Sequence, residues 1–273
     1  MRATCSRQAT RRGQRRQRDT SRWTADNESR GGRSAATAQS LRWAPVPSTA
    51  RTTATRRPLG RGRKAPPPTA ILLVRHGATP TTGKLLPGQA PGLHLSDTGR
   101  AQAAAAAERI GSLTKAPVAV YASPLERTRE TAAPIARALG LRVRSAPGLI
   151  ELDVGEWTEK PLARLARAPQ WSTVQRWPTG FRFPGGESFA EMATRSMDAV
   201  LELVAAHPGE SVVAVSHADP IKAIVASAAG VPLDLMQRLV VSPCSITALL
   251  FTAGGPVVLC VNSIGSLDEL VPS

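Results

Sequence analysis

Two short aliphatic runs in this chain stop at a histidine: Ile71-Leu72-Leu73-Val74-Arg75-His76 and Val212-Val213-Ala214-Val215-Ser216-His217. Short, partly β-branched apolar runs fit buried parallel strands better than helices. Chemistry in open α/β sheets sits just outside the carboxyl ends of such strands. If the two strands are neighbours, His76 and His217 emerge side by side at one sheet edge. An imidazole there is a nitrogen nucleophile, and the guanidinium of Arg75 offers an anion a planar fork of donors. Gly77 has no Cβ and lets the backbone come close to a bound group. A histidine pair flanked by arginine suits phosphoryl transfer: one imidazole attacks phosphorus while cationic donors neutralise the equatorial oxygens. The first run alone also reads as a surface arginine beside a hydrogen-bonded structural histidine at a strand end.

The elements that must position these residues alternate between strand and helix. Ser96 caps a helix that the Ala-rich run 100–110 carries to Gly111. Pro117 introduces a strand over 118–122. Ser123 and Pro124 read as N-cap and first residue of a helix to Gly140, with Pro134 interrupting or kinking it. Residues 141–145 alternate in polarity and fit a strand nearer the sheet edge. The stretch 148–187 is mostly irregular, with a helix near 161–168 and Trp157, Trp171 and Trp177 as cover for a pocket. Ser188 caps a long amphipathic helix to about Ala206, and helices over 219–229 and 233–239 follow the second histidine. Gly254-Gly255-Pro256 marks a hairpin between strands over 244–252 and 256–262. The expected fold is α/β: three-layer, a mostly parallel sheet with helices on both faces and an antiparallel edge.

Charge divides the chain in two. Residues 1–68 carry 16 Arg, one Lys and three acidic residues, a net of +14, which leaves +1 of the total +15 for residues 69–273. Residues 1–68, rich in Ser, Thr, Gly and Pro, read as a disordered basic arm, an acid-poor targeting-like leader, or sequence upstream of the true start. Residues 69–273 read as the folded domain. The basic character belongs to the tail, so a nucleic-acid partner is not expected of the domain. Cys5, Cys244 and Cys260 show no paired spacing, which suits a reducing cytoplasm, and Cys244 and Cys260 read as small core hydrophobes. No run approaches the length of a membrane span.

Five motifs in order, RHG at 75–77, SPLERTRETA at 123–132, LIELDVGEW at 149–157, PGGES at 184–188 and AVSHAD at 214–219, resemble the histidine phosphatase superfamily, the phosphoglycerate mutase-like proteins. Within it the chain looks most like an actinobacterial branch labelled phosphomutases. The resemblance implies that His76 becomes phosphohistidine, and that Arg75 and Arg127 bind the phosphoryl oxygens. It implies that His217 completes the pocket, and that Glu151 is the acid that protonates the leaving oxygen. Thr79 is a further hydroxyl contact, and the N–H of Ala218 an anion donor at a helix start. On composition alone Arg127 reads as part of a solvated helix face, and Asp153, Glu156 and Glu159 rival Glu151; only the motif selects. His94 and His207 receive no role. The chain departs from the family pattern at Thr82, often Asn, at Ala218, usually Gly, and at Glu159, often Gly. Ala218 then requires a negative φ.

The implied activity is hydrolysis of a phosphate monoester on a small phosphorylated metabolite, with no metal or organic cofactor and no membrane partner. A phosphomutase and a non-catalytic phospho-ligand binder are the alternatives. A mutase holds its bisphosphate with extra basic residues, and Lys160, Arg164 and Arg167 follow Glu151, though not in the mutase pattern. A homodimer is compatible with each reading.

Overall fold

The computed structural model describes residues 66–265. The Arg-rich tail expected over 1–68 lies outside the described residues except for 66–68, and Cys5 lies outside them too. The sheet centres on β1 (Thr69–Arg75), which pairs in parallel with β6 (Ser211–Ser216) and antiparallel with β7 (Ile246–Thr252). Beyond β6 lie β3 (Ala119–Ala122) and then the short edge strand β4 (Val143–Ser145), both parallel. Beyond β7 lies β8 (Gly255–Ser263), so the order is β4-β3-β6-β1-β7-β8. In this register Val74 faces Val215 and Arg75 faces Ser216. Both histidine-ending strands therefore stop at the same level.

Period-two alternation sends the side chains of β1 and β6 into two cores. On one face Val74, Val213 and Val215 pack against Ala107 and Ile110 of α1 (Asp97–Gly111) and Ile135 and Ala136 of α2 (Glu126–Ala138). On the other, Ile71, Leu73, Val212 and Ala214 pack with Val200 and Leu203 of α5 (Phe189–Ala206) and Ile221 and Ile224 of α6 (Ala218–Ala228). Each Val, Leu or Ile among these, fully buried, contributes roughly 1.5–3 kcal/mol. The three-layer expectation is met. Local capping also holds: Ser96 accepts from the Gly99 N–H, and Ser188 with Glu191 forms a reciprocal capping box.

Four expectations are corrected. Ser123 does not cap α2: its N–H donates to the Val215 carbonyl at 3.0 Å, adding one more sheet rung, and the helix starts only after Leu125. The helix is not interrupted at Pro134 but runs on to Ala138. One lost hydrogen bond is outweighed by the buried face of Thr131, Ala132, Ile135 and Ala136. Besides α3 (Leu162–Leu165), which falls within the helix expected near 161–168, the stretch 148–187 holds a second short helix, α4 (Trp171–Arg176), and the strand β5 (Lys160–Pro161), which pairs with β2 (Leu85–Leu86) from the segment after His76. Cys244 is buried as expected, but Cys260 is exposed, because its position on β8 faces outward.

Candidate active site

His76 continues β1 by one rung, its N–H donating to the Ser216 carbonyl at 2.9 Å. Its side chain is 5 % exposed. Nδ1 lies 2.7 Å from the Gly77 carbonyl. A carbonyl can only accept, so the proton sits on Nδ1 and the lone pair on Nε2. Burial, then the charges of Arg75 and Arg127, push the His76 pKa down to about 3. At neutral pH the ring is uncharged, the form that can attack phosphorus. The turn behind it is tightly held. Gly77 N–H donates to Thr131 Oγ1 at 3.0 Å, and Ala78 N–H to Gln102 Oε1 at 2.9 Å. Gly99 of α1 packs so closely that a Cβ there would lie 2.0 Å from the Ala78 carbonyl oxygen.

His217 ends β6, with its ring centroid 5.2 Å from that of His76. It is wholly buried, and burial together with Arg127, His76 and Arg75 holds its pKa well below the ordinary value. Its Nε2 lies 2.8 Å from Ser123 Oγ, and its Nδ1 lies 3.9 Å from Glu151 Oε2. Arg127 reaches in from α2, wholly buried, with one Nη2 bond of 2.7 Å to the Gly88 carbonyl. Arg75 spends Nη1 on the Val241 carbonyl at 2.7 Å. Among the described residues, Arg75 Nε, Arg127 Nε and Nη1 and His217 Nδ1 are buried without a hydrogen-bond partner. Buried polar nitrogens are rarely left so. Here they belong to residues around the uncharged His76 imidazole.

Glu151 is the acidic group that joins them. Its Oε1 accepts from the Leu152 N–H at 2.9 Å. Burial, and then the like charge of Asp219, raise its pKa to about 7 against the pull of Arg127 and Arg75. It can therefore carry a proton near neutral pH. The rival acids are placed elsewhere: Asp153 Oδ1 accepts from the Gly155 N–H, and Glu156 and Glu159 are exposed. Glu159 has φ 61°, the left-handed region, at the position where the family often has Gly.

The remaining sequence candidates fall as follows. Thr79 Oγ1 is engaged in its own turn, 3.2 Å from Thr81 Oγ1 and 3.0 Å from Thr82 Oγ1. Ala218 is the first residue of α6, where an N–H has no intrahelical acceptor, and its φ is not positive. His94 pairs with Glu130 at the surface, and His207 Nε2 lies 3.0 Å from the Tyr121 hydroxyl. Trp157 is core, among Phe181, Phe183 and Trp171. Trp171 lines a cavity of about 130 Å³ with Asp219 and Gln237, whereas Trp177 is exposed. Lys160, Arg164 and Arg167 line a separate cavity of about 370 Å³ that shares no residue with the histidine cluster.

Sequence reasoning missed the supports. Arg195 of α5 donates to the carbonyls of Gly148, Ile150 and Glu151 at 2.8–2.9 Å and pairs with Glu187, which fixes the Glu151 segment. Gln89 Nε2 donates to the Glu151 carbonyl at 2.8 Å. Nothing local marks Arg195 or Gln89, since both act across long loops. Ser123 and Thr131 stand inside the SPLERTRETA motif, which was the available signal.

A neutral buried imidazole, unpaired guanidinium and imidazole nitrogens beside it, and a protonatable carboxyl at the carboxyl ends of parallel strands define a class: phosphoryl-transfer proteins that use histidine. The chain belongs to the histidine phosphatase superfamily (branch 1), whose model matches residues 71–264. It is 34% identical over 213 residues to the Bifunctional protein Rv2228c of Mycobacterium tuberculosis, covering 73% of this chain and 55% of that protein. The chain thus spans about half the length of the first curated relatives it matches. It is 36% identical over 186 residues to the metal-independent phosphoserine phosphatase of Arabidopsis thaliana, covering 63% of this chain and 76% of the relative. Among solved structures, the native mycobacterial glucosyl-3-phosphoglycerate phosphatase Rv2419c aligns with TM-score 0.65 and 30% identity, over 72% of this chain and 99% of that one.

Proposed function

We propose that this chain hydrolyses a phosphate monoester through a phosphohistidine on His76. The observation that carries this reading is the set of buried nitrogens without partners, on Arg75, Arg127 and His217, around a neutral imidazole. In the first step Nε2 of His76 forms the N–P bond as the P–O ester bond breaks. Glu151 gives its proton to the leaving oxygen. In the second step the Glu151 carboxylate takes a proton from water, whose oxygen attacks phosphorus. The N–P bond breaks, inorganic phosphate leaves, and both groups return to their starting states. Arg75, Arg127, the Nδ1 side of His217 and the Ala218 N–H neutralise charge on the phosphoryl oxygens in both steps. Thr79 stays a contact of the loop beside the nucleophile. Every group in this scheme is a protein side chain or backbone amide.

The substrate class this supports is a small phosphorylated metabolite, in line with the phosphoserine and glucosyl-3-phosphoglycerate phosphatases among the relatives. Hydrolysis is favoured over a mutase because Lys160, Arg164 and Arg167 face their own cavity. No helix among the described residues is long and apolar enough to cross a membrane. Both described cysteines are free, which fits a reducing cytoplasm. The test is phosphate release by the full chain on a panel of sugar, amino-acid and aryl phosphates, beside His76→Ala. Release by the parent and none by the variant supports the reading. Equal release by both contradicts it.

A further inference from the structure

Ser123 takes no part in the phosphoryl-transfer scheme above, yet it is bonded to one of its residues, and its role rests on that reading. Ser123 and His217 are both 0% exposed, and Ser123 Oγ lies 2.8 Å from His217 Nε2. The serine backbone is clamped from two sides. Its N–H donates to Val215 at 3.0 Å, and its carbonyl accepts from Thr128 Oγ1 at 2.8 Å. The hydroxyl is thus placed by the sheet and by the turn into α2.

A neutral imidazole carries one N–H, whereas a hydroxyl can donate or accept. Two arrangements fit the 2.8 Å contact. In the first, Nε2–H donates to Oγ. The serine proton then has no acceptor among the described residues, and the Nδ1 lone pair faces Glu151 Oε2 at 3.9 Å, in the space where an anion must bind. In the second, Oγ–H donates to Nε2, and the ring proton sits on Nδ1. Every buried polar atom of the serine is then satisfied, and the one unpartnered atom of the pair, His217 Nδ1, is a donor awaiting an acceptor.

We infer that Ser123 holds His217 as its Nδ1–H tautomer, so that this imidazole meets the phosphoryl group as a hydrogen-bond donor rather than as a lone pair opposing it. Ser123 is a positioning residue: it touches His217 and acts through it. Its hydroxyl does for His217 what the Gly77 carbonyl does for His76, with opposite sense. The carbonyl keeps Nε2 of His76 free as a nucleophile, and the hydroxyl keeps Nδ1 of His217 protonated as a donor.

The experiment is nitrogen-15 NMR of the histidine-labelled full chain, with the His217 signals assigned by His217→Gln. It is paired with orthovanadate binding to the parent and to Ser123→Ala. The expected result is a protonated Nδ1 and an acceptor Nε2 in the parent. In Ser123→Ala the tautomer shifts toward Nε2–H, and vanadate affinity falls by about tenfold or more. An Nε2–H tautomer in the parent, or parental vanadate affinity in Ser123→Ala, overturns the inference. Should that variant not fold, the tautomer of the parent alone decides. A parent that releases no phosphate from any ester would defeat the proposed function, while the tautomer would still decide the role of Ser123.

Discussion

Replacing Glu151 by Gln separates catalysis from stability, because the two must move in opposite directions. Gln keeps the shape and can still accept from the Leu152 N–H, but it cannot supply a proton to the leaving oxygen. General acid catalysis by a positioned side chain contributes about 10²–10⁴-fold, so kcat/KM on an alkyl phosphate should fall by that factor. A nitrophenyl phosphate, whose leaving group departs without a proton, should lose less than about tenfold. For the parent, activity on alkyl esters should decline as pH rises through about 7, where Glu151 loses its proton, and the variant should show no such limb. Stability responds with the other sign. Folding raises this carboxyl from 4.5 to about 7, so between those values the native chain binds more protons than the unfolded one. Stability therefore falls as pH rises across that window, by roughly 3 kcal/mol once it has been crossed. Glu151→Gln escapes that loss and should be more stable than the parent by up to about 3 kcal/mol at pH 8, with no gain at pH 4. The assay is kcat/KM on both esters from pH 5 to 9, with denaturant unfolding at pH 4 and pH 8. A variant that keeps parental activity on alkyl esters, or that is less stable at pH 8, would refute the reasoning.

Further outcomes follow from single positions. Gly99→Ala must push α1 away from the Ala78 carbonyl, so it should cost about 1–3 kcal/mol in calorimetry and impair turnover, because Ala78 lies two residues from His76. An unchanged melting point would show that the loop yields freely. Glu159→Gly removes a left-handed side chain, and its cost of about 1–2 kcal/mol is partly offset by the greater freedom of glycine. The expected net gain of about 0.5–1 kcal/mol should raise Tm by about 1–4 °C without altering activity. The double variant Arg164→Ser, Arg167→Ser should leave phosphate release within about twofold, since those residues line a cavity apart from the histidine cluster. A tenfold loss would return them to the substrate and favour the mutase alternative.

What the sequence made legible was what local chemistry decides. The β1 and β6 runs are apolar, partly β-branched and end in histidine, so their burial and the shared edge of His76 and His217 could be read before any pairing was known. Ser96 and Ser188 were legible as caps because a cap acts over one helical turn. Ser123 offers the same local signal, and there it misleads. The rung to Val215 outcompetes the cap, and the hydroxyl turns instead to His217. Arg127 looks like part of a solvated face among Glu126, Arg129 and Glu130, yet it is wholly buried against the Gly88 carbonyl, which only the motif anticipated. The 148–187 stretch stayed opaque because its order comes from distant partners: Arg195 gathers three of its carbonyls, and Phe189 joins Phe183 in the aromatic cluster. Neither carries a period or a turn signature.

The central claim, covalent catalysis on His76, is tested most directly by trapping the intermediate. The full chain would be mixed with substrate, quenched within milliseconds into alkaline denaturant, digested and mapped by mass spectrometry. The account predicts a base-stable phosphoryl group on the peptide containing His76, formed as fast as turnover and missing from His76→Ala. A phosphoryl group on another residue, or turnover by His76→Ala at the parental rate, would contradict it.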